Sequence, residues 1–407
     1  MNRKEFLLIL TSAGVGFSST IFLEDHLNLK GFCSLMPLVW AEAEDRRSAF
    51  LVPFVFYLTV SRGIVPGAYV FFRDGSIVRA MTLWILSASA LAIPYWLLHV
   101  REIKNKTRRA LGTLLAITAS MPPPLGLIGW TNPLTATGLF FSGLGWYGLA
   151  SMLILYVGAA LFSTLRRSLI ILVLIAVPFF NIPATPEKIT TGNVTIQSVD
   201  TYFGRMASGS ADFDIQYERE RSVFHYLREN ERNGQFIGSD IVILPETVIG
   251  RMYPTTMKRW ERFFAPAAEK DVVFIAGGEV PTHHGAKYDN VMTSFEKEGK
   301  RQIIKQRFPV PFSMYRPFTV SGANAYISSL GELSIIEIHG KKLGFLVCYE
   351  QFLTWPLLTL MSQKPDVIIA SANLWWCGNT SLPEIRASAI SLWSRLFNVP
   401  LISATNI

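Results

Sequence analysis

"KKLGFLVCYE" (residues 341–350) is a short apolar run that opens on two lysines and closes on Cys348, Tyr349 and Glu350. A run of this length, rich in Leu, Phe and Val, reads as a buried β-strand. Four other stretches share its texture: "GNVTIQSV" (192–199), "DIVILPE" (240–246), "DVVFIAGG" (271–278) and "PDVIIASAN" (365–373). Between them, 213–233 and 254–270 carry helical periodicity with Arg and Glu on the polar face. "SFEKEGKRQIIKQ" (294–306) reads as a hairpin turning at Glu298-Gly299. Apolar strands alternating with amphipathic helices predict an α/β layer structure with its sheets covered on both faces.

Upstream the texture changes. Residues 1–183 form apolar runs separated by short charged punctuation, at about 5–23, 29–43, 49–72, 81–100, 110–130, 136–163 and 167–183. A helix needs ~20 apolar residues to cross a bilayer, so six to seven spans are expected, the second short enough to be re-entrant. Arg62 lies within the third run, where it should snorkel or face the bundle interior. Pro122, Pro123 and Pro124 should end or kink the fifth. Domain boundaries are therefore set at 1–183 for an all-α transmembrane bundle and 190–407 for the α/β domain.

Charge is divided in the same way. Residues 1–183 hold 15 Lys and Arg against 8 Asp and Glu, a balance of +7; residues 184–407 hold 23 against 22, a balance of +1. The basic excess sits between apolar runs, where cytoplasmic loops collect Lys and Arg. Placing Arg101, Lys104, Lys106, Arg108 and Arg109 inside puts residues 184–407 in the periplasm of a multi-pass inner-membrane protein. Neither a basic stripe nor a nucleic-acid motif marks the polar half, which argues against direct nucleic-acid binding. Cys33, Cys348, Cys377 and six His show no CxxC, HExxH or zinc-finger spacing, so no metal is expected.

Three residues could do chemistry together. Glu246 ends the strand "DIVILPE", Cys348 ends "KKLGFLVCYE", and Lys305 follows the hairpin in "IIKQRFPVPFSMYRP". The carboxyl ends of strands are where ligand crevices form in α/β sheets. A carboxylate there takes the thiol proton, an ammonium stabilises thiolate and oxyanion, and an acyl thioester follows. Each residue also has a structural reading: core thiol, strand-end carboxylate, solvated lysine. Glu350, two residues past Cys348, is a candidate to hold the thiol environment or orient an acceptor. Trp375 and Trp376 are candidates to shape an acyl pocket. Cys377 is a fallback nucleophile.

The words around these residues carry a resemblance. "PET" at Glu246, "YDN" (288–290), "VCYE" at Cys348, "SANLWW" (371–376) and "SATN" (403–406) stand in the order of the nitrilase, or carbon–nitrogen hydrolase, superfamily with its Glu-Lys-Cys triad. With the apolar half in front, the chain resembles the apolipoprotein N-acyltransferase branch, and "QRFPVPFSMYRP" is similar to a plasmid conjugal-transfer family of membrane relatives. The resemblance implies an α-β-β-α sandwich without cofactor or metal, with Glu246, Lys305 and Cys348 catalytic and Tyr349 and Glu350 supporting. It implies acyl transfer or amide hydrolysis on a membrane lipid, a lipoprotein or another amide, alongside other conjugal-transfer proteins. The rival expectation is a non-catalytic component of the conjugation apparatus that keeps the fold. Two departures bear on the site. Ser313-Met314-Tyr315 replaces Gly-Glu-Tyr, and aligning on Pro311-Phe312 puts Gln306 at the lysine position unless one residue is inserted to restore Lys305. The chain stops just after "ATN", so the domain is expected to be short at its C-terminus.

Overall fold

The computed structural model describes residues 3–20, 22–23, 27–72, 76–100, 106–129, 131–161, 187–204, 213–282, 285–316, 318–326 and 334–407. The chain divides into two compact units: Met1–Ala184 with Phe352–Trp355 and Trp376–Asn398, and Thr185–Gln351 with Pro356–Trp375 and Val399–Ile407.

The first unit is helical: α1 (Arg3–Ser18), α2 (Met36–Trp40), α3 (Arg46–Val60), α4 (Ile64–Phe72), α5 (Ile77–Leu97), α6 (Lys106–Thr118), α7 (Thr137–Phe140) and α8 (Gly145–Leu161). Asp45 caps α3 by accepting from the Ser48 N–H at 2.7 Å. α1 lies against α3 at Gly16, where a Cβ would stand 3.0 Å from Thr59 Cβ. Ser12 Oγ donates to the Val52 carbonyl at 2.6 Å, and Trp84 Nε1 ties α5 to α3 at the Leu58 carbonyl, 2.9 Å. Arg62 turns inward as its cost in an apolar layer requires, donating to Thr20 Oγ1 at 2.5 Å and the Thr59 carbonyl at 3.1 Å.

The described helices offer fewer candidate spans than the six to seven expected. Among the described residues only α5 is long and apolar enough to cross a membrane, or up to three spans if each bent pair is one. The bent pairs are α3 with α4, at 55°, and Pro133–Phe140 with α8, at 117°. Breaks the apolar runs conceal are responsible: Ser61–Gly63 interrupts the third, and Gly143 at φ 77° and Gly145 at φ 52° the sixth. The run 29–43 is a 3₁₀ stretch, Leu29–Leu35, followed by the five residues of α2. The seventh run, Arg166/Arg167 and Arg101 to Asn105 lie outside the described residues.

Among the described residues the second unit holds two sheets. The first runs β1 (Lys188–Thr191), β2 (Val194–Ser198), β3 (Ile241–Ile243), β4 (Val273–Thr282), β5 (Lys287–Phe295) and β6 (Ile303–Lys305), with β7 (Gly322–Ala323) beside β5. The second runs β8 (Ile335–Ile338), β9 (Lys341–Val347), β10 (Val367–Asn373) and β11 (Leu401–Asn406). β2, β3 and β4 are mutually parallel, as are β9, β10 and β11. One apolar core joins the two sheets face to face, with Ile196, Ile243, Ile275 and Met292 meeting Phe345, Val347, Ile369 and Ile402.

A second core lies under α9 (Phe213–Arg232) and α10 (Pro254–Ala268), where Trp260, Phe264 and Val223 pack on Val242, Phe274 and Val291. The other sheet carries α11 (Thr354–Ser362), whose Leu360 Cδ1 would be 2.6 Å from a Cβ on Gly344. The order is helices, sheet, sheet, helix: the α-β-β-α layering that the resemblance implies. The last helix, α12 (Leu382–Phe397), falls in the first unit. Its Leu392 carbonyl would stand 1.8 Å from a Cβ on Gly138 in α7, so only glycine allows that crossing.

Candidate active site

Cys348 begins a 3₁₀ turn, Cys348–Phe352, at the end of β9, and is 7% exposed. Its backbone sits at φ 51°, in the left-handed region that non-glycine residues seldom occupy and that clusters at functional sites. Glu246 lies just beyond the carboxyl end of β3, is 2% exposed, and is followed by Thr247 at φ 59°. Gly277 of β4 makes room for it: a Cβ there would lie 2.5 Å from Glu246 Cα. The Glu246 and Cys348 side chains are hydrogen-bonded.

Two further donors fix the carboxylate. Asn290 Nδ2 donates to Oε1 at 2.5 Å, and the Asn373 N–H donates to Oε2 at 2.8 Å. Asn373 is held by Asn406 Nδ2, which donates to its Oδ1 at 2.8 Å, and Thr201 Oγ1 donates to Asn406 Oδ1 at 2.9 Å. Burial pushes the Glu246 carboxyl above its usual range; Cys348, Asn290 and the Asn373 N–H pull it back, and nearby Glu350 adds to the upward push. A carboxylate held this way has the proton affinity and the reach to exchange a proton with the thiol.

The structure does not bring Lys305 to this pair. Its Nζ stands 2.7 Å from Asp289 Oδ2 and 3.1 Å from the Tyr326 hydroxyl, with the side chain 35% exposed. Strand alternation explains the displacement. Lys305 pairs with Val291, which packs under the helices, whereas Ile304 pairs with Met292, which faces the other sheet. Gln306 is the residue that enters the site, 1% exposed. Its Nε2 donates to the Val347 carbonyl at 3.0 Å, and its Oε1 accepts from Asn290 Nδ2 at 2.8 Å. The carbonyl can only accept, which settles which way the amide points. Gln306 is the residue that the ungapped alignment on Pro311-Phe312 puts at the lysine position, and it is the one that reaches Asn290 and the Val347 carbonyl. A neutral amide occupies the place where an ammonium was expected.

Glu350 is a clamp for the turn. Its Oε1 accepts from the Arg307 N–H at 2.7 Å, the Phe308 N–H at 3.2 Å and Arg307 Nε at 3.3 Å; its Oε2 accepts from the Val347 N–H at 3.0 Å. Tyr349 is buried between Cys348 and Glu350. Trp376 packs on α4: its ring would be 2.8 Å from a Cβ on Gly67 and meets Phe71 edge-on at 6.1 Å. Trp375 is half-buried. Burial pushes the Cys377 thiol up to about 12, which disables it as a nucleophile at neutral pH. Asn290, Gln306 and Asn373 were not among the sequence-based site residues, although "YDN" and "SAN" contain two of them.

No protein-family model matches the chain. Conjugal transfer protein TraB of Agrobacterium fabrum is 28% identical over 412 residues, covering 98% of this chain and 92% of the relative. The chain resembles TraB over nearly its whole length. "Probable conjugal transfer protein TraB" of Sinorhizobium fredii is 27% identical over 405 residues, covering 98% of this chain and 97% of the relative. The resemblance drawn from "QRFPVPFSMYRP" and its neighbours is borne out at this level. Among solved structures, an amidase from Nesterenkonia sp. aligns over 54% of this chain and 79% of its own, at 11% identity and TM-score 0.37. A carbon–nitrogen hydrolase from Helicobacter pylori aligns over 53% and 73%, at 17% identity and TM-score 0.35.

Proposed function

We propose that the chain is a membrane-bound enzyme of conjugative plasmid transfer that cleaves or transfers an acyl group through a thioester on Cys348. The observation that carries this reading is the buried Glu246 carboxyl hydrogen-bonded to Cys348, whose backbone is held at φ 51°. Glu246 takes the thiol proton as sulfur attacks a carbonyl carbon, then returns it to the departing nitrogen or oxygen. An amine or water next attacks the thioester, giving its proton to Glu246, and sulfur leaves as the thiol. The oxyanion would meet the second N–H of Gln306 Nε2 and backbone N–H groups at the Cys348–Tyr349 turn. No cofactor enters this scheme. The acyl source is a membrane lipid, a lipoprotein or another amide, presented beside a membrane crossed by α5 and the two bent helix pairs. Other conjugal-transfer proteins are the partners this setting implies.

Topology belongs to the same proposal. The basic loops place residues 184–407 outside the inner membrane, so a reporter fused after Ile407 should be active in the periplasm and one at Lys104 in the cytoplasm. A second reading, a non-catalytic component of the conjugation apparatus, is favoured by Gln306, because an amide supplies no charge to a developing oxyanion. Cys348→Ala and Glu246→Gln separate the two. Under the enzymatic reading each costs at least ~10³-fold in rate and abolishes plasmid transfer at normal protein level. Full transfer by both variants would leave the scaffold reading standing.

A further inference from the structure

Three buried acceptors in the second unit accept no hydrogen bond: Asn290 Oδ1 and both carboxylate oxygens of Glu279, the latter met only by the ion pair with Arg251. Glu279 lies on β4, 1% exposed, and is the direct cross-strand partner of Asn290 on β5. Directly opposed residues of an antiparallel pair share a face, with Cβ atoms ~5 Å apart. Asn290 is the residue whose amide holds Glu246. Arg251 Nε, 3.1 Å from Glu279 Oε2, faces one of the carboxylate oxygens, but Asn290 Oδ1 is left without a donor, a costly arrangement in a buried site. One proton on Glu279 changes it, because a carboxylic acid carries an O–H that Asn290 Oδ1 can accept.

We propose that Glu279 is a second, proton-carrying carboxyl of the site, linked through Asn290 to Glu246, and that its charge state sets how the proton is shared between Glu246 and Cys348. The inference rests on the reading of Glu246 and Cys348 as a proton-sharing pair. Glu279 acts through Glu246, so it is a positioning residue. The charged and titratable groups around it come from several elements. Arg251, on the segment after β3, stands 3.1 Å from its Oε2. Arg219 of α9 and Glu246 also act on it electrostatically, and it acts in turn on Tyr288 of β5, on which Arg251 and Arg316 act too. Burial pushes the Glu279 carboxyl up to about 7; Arg251 and Arg219 oppose the rise and Glu246 adds to it. The group therefore changes charge near neutrality.

The sign follows from the geometry. Below neutrality Glu279 is protonated and neutral, and its O–H donates to Asn290. Above neutrality it is an anion that acts on Glu246 directly. That charge raises the proton affinity of Glu246, moves the shared proton from sulfur to oxygen, and raises the thiolate fraction of Cys348.

The test is the rate at which iodoacetamide alkylates Cys348 in the detergent-solubilised full chain, read on the Cys348 peptide by mass spectrometry from pH 5.5 to 8.5. The wild type should show a roughly fivefold rise centred near pH 7, below the ordinary thiol step. Glu279→Gln keeps a donor for Asn290 but cannot ionise, so it should follow the low-pH form and lose that rise. Arg251→Gln removes the counter-charge, so its step should move to higher pH; this second variant serves if Glu279→Gln fails to accumulate. Superimposable profiles, an unmoved step in Arg251→Gln, or no alkylation of Cys348 at any pH would overturn the inference. Alkylation needs no turnover, so these outcomes are independent of whether Cys348→Ala abolishes transfer.

Discussion

Replacing Glu350 by Gln changes one buried carboxylate oxygen into an amide nitrogen, and the surroundings say what that costs. Glu350 and Arg307 are each 1% exposed, and Arg307 Nε stands 3.3 Å from Glu350 Oε1. Oε1 also serves the N–H groups of Arg307 and Phe308, while Oε2 serves Val347. The amide can keep its oxygen on the first cluster only by turning its NH₂ against the Val347 N–H, which strands a buried donor at ~1–3 kcal/mol. Losing the counter-charge of a buried arginine costs ~3–5 kcal/mol, softened by the bond from Arg307 Nη1 to Ser334 Oγ at 2.9 Å. These terms overlap, so the expected loss is about 4 kcal/mol, a large part of the ~5–15 kcal/mol that holds a domain folded. The two units make whole-chain unfolding a poor assay. Pulse proteolysis in urea, with the second unit followed by a tag after Ile407, reads its stability alone. Adding Arg307→Met should return about 2 kcal/mol or more, because the stranded charge is then gone. A Glu350→Gln midpoint within about 0.5 kcal/mol of wild type would refute the clamp and the packing argument behind it.

Lys305→Ala should leave plasmid transfer intact and cost under ~1 kcal/mol, since its Asp289 pair is more than a third exposed on the lysine side; loss of transfer at normal protein level would return Lys305 to the site. Gln306→Leu strands the Val347 carbonyl and removes the acceptor Asn290 uses, so the second unit should lose ~2–4 kcal/mol by the same proteolysis assay. Gln306→Lys puts a cation beside the turn that carries Cys348, and should speed its alkylation at pH 6 through a larger thiolate fraction; an unchanged rate would mean that Gln306 does not communicate with the thiol.

What could be read from the sequence follows the range of each signal. Strands and helices of the second unit are local, and "DIVILPE", "DVVFIAGG" and the turn at Glu298-Gly299 all fall where periodicity puts them. Glu246 and Cys348 were legible because each closes an apolar strand. Lys305 lies on Asp289 and Tyr326, and Gln306 beside Asn290, because one residue of register moves a side chain to the other face of its sheet, which sequence chemistry alone does not show. Asn290 and Asn373 stood in recognisable words, but their roles depend on partners 44 and 127 residues away. Glu279 gave no signal at all: a glutamate in an apolar strand becomes notable only once its burial and its neighbour Asn290 are known. In the first unit, apolar composition marked the runs but not the breaks at Gly63 and Gly143, so it overstated the helices able to span.

The most direct test of the central claim is to trap the intermediate. Membranes containing the full chain are incubated with an acyl-labelled phospholipid, quenched in acid, and the Cys348 peptide is weighed with and without hydroxylamine. The account predicts an acyl mass on Cys348 that hydroxylamine removes, and its absence in Glu246→Gln. An unmodified Cys348 peptide, recovered in full from membranes that support plasmid transfer under the same conditions, would contradict it.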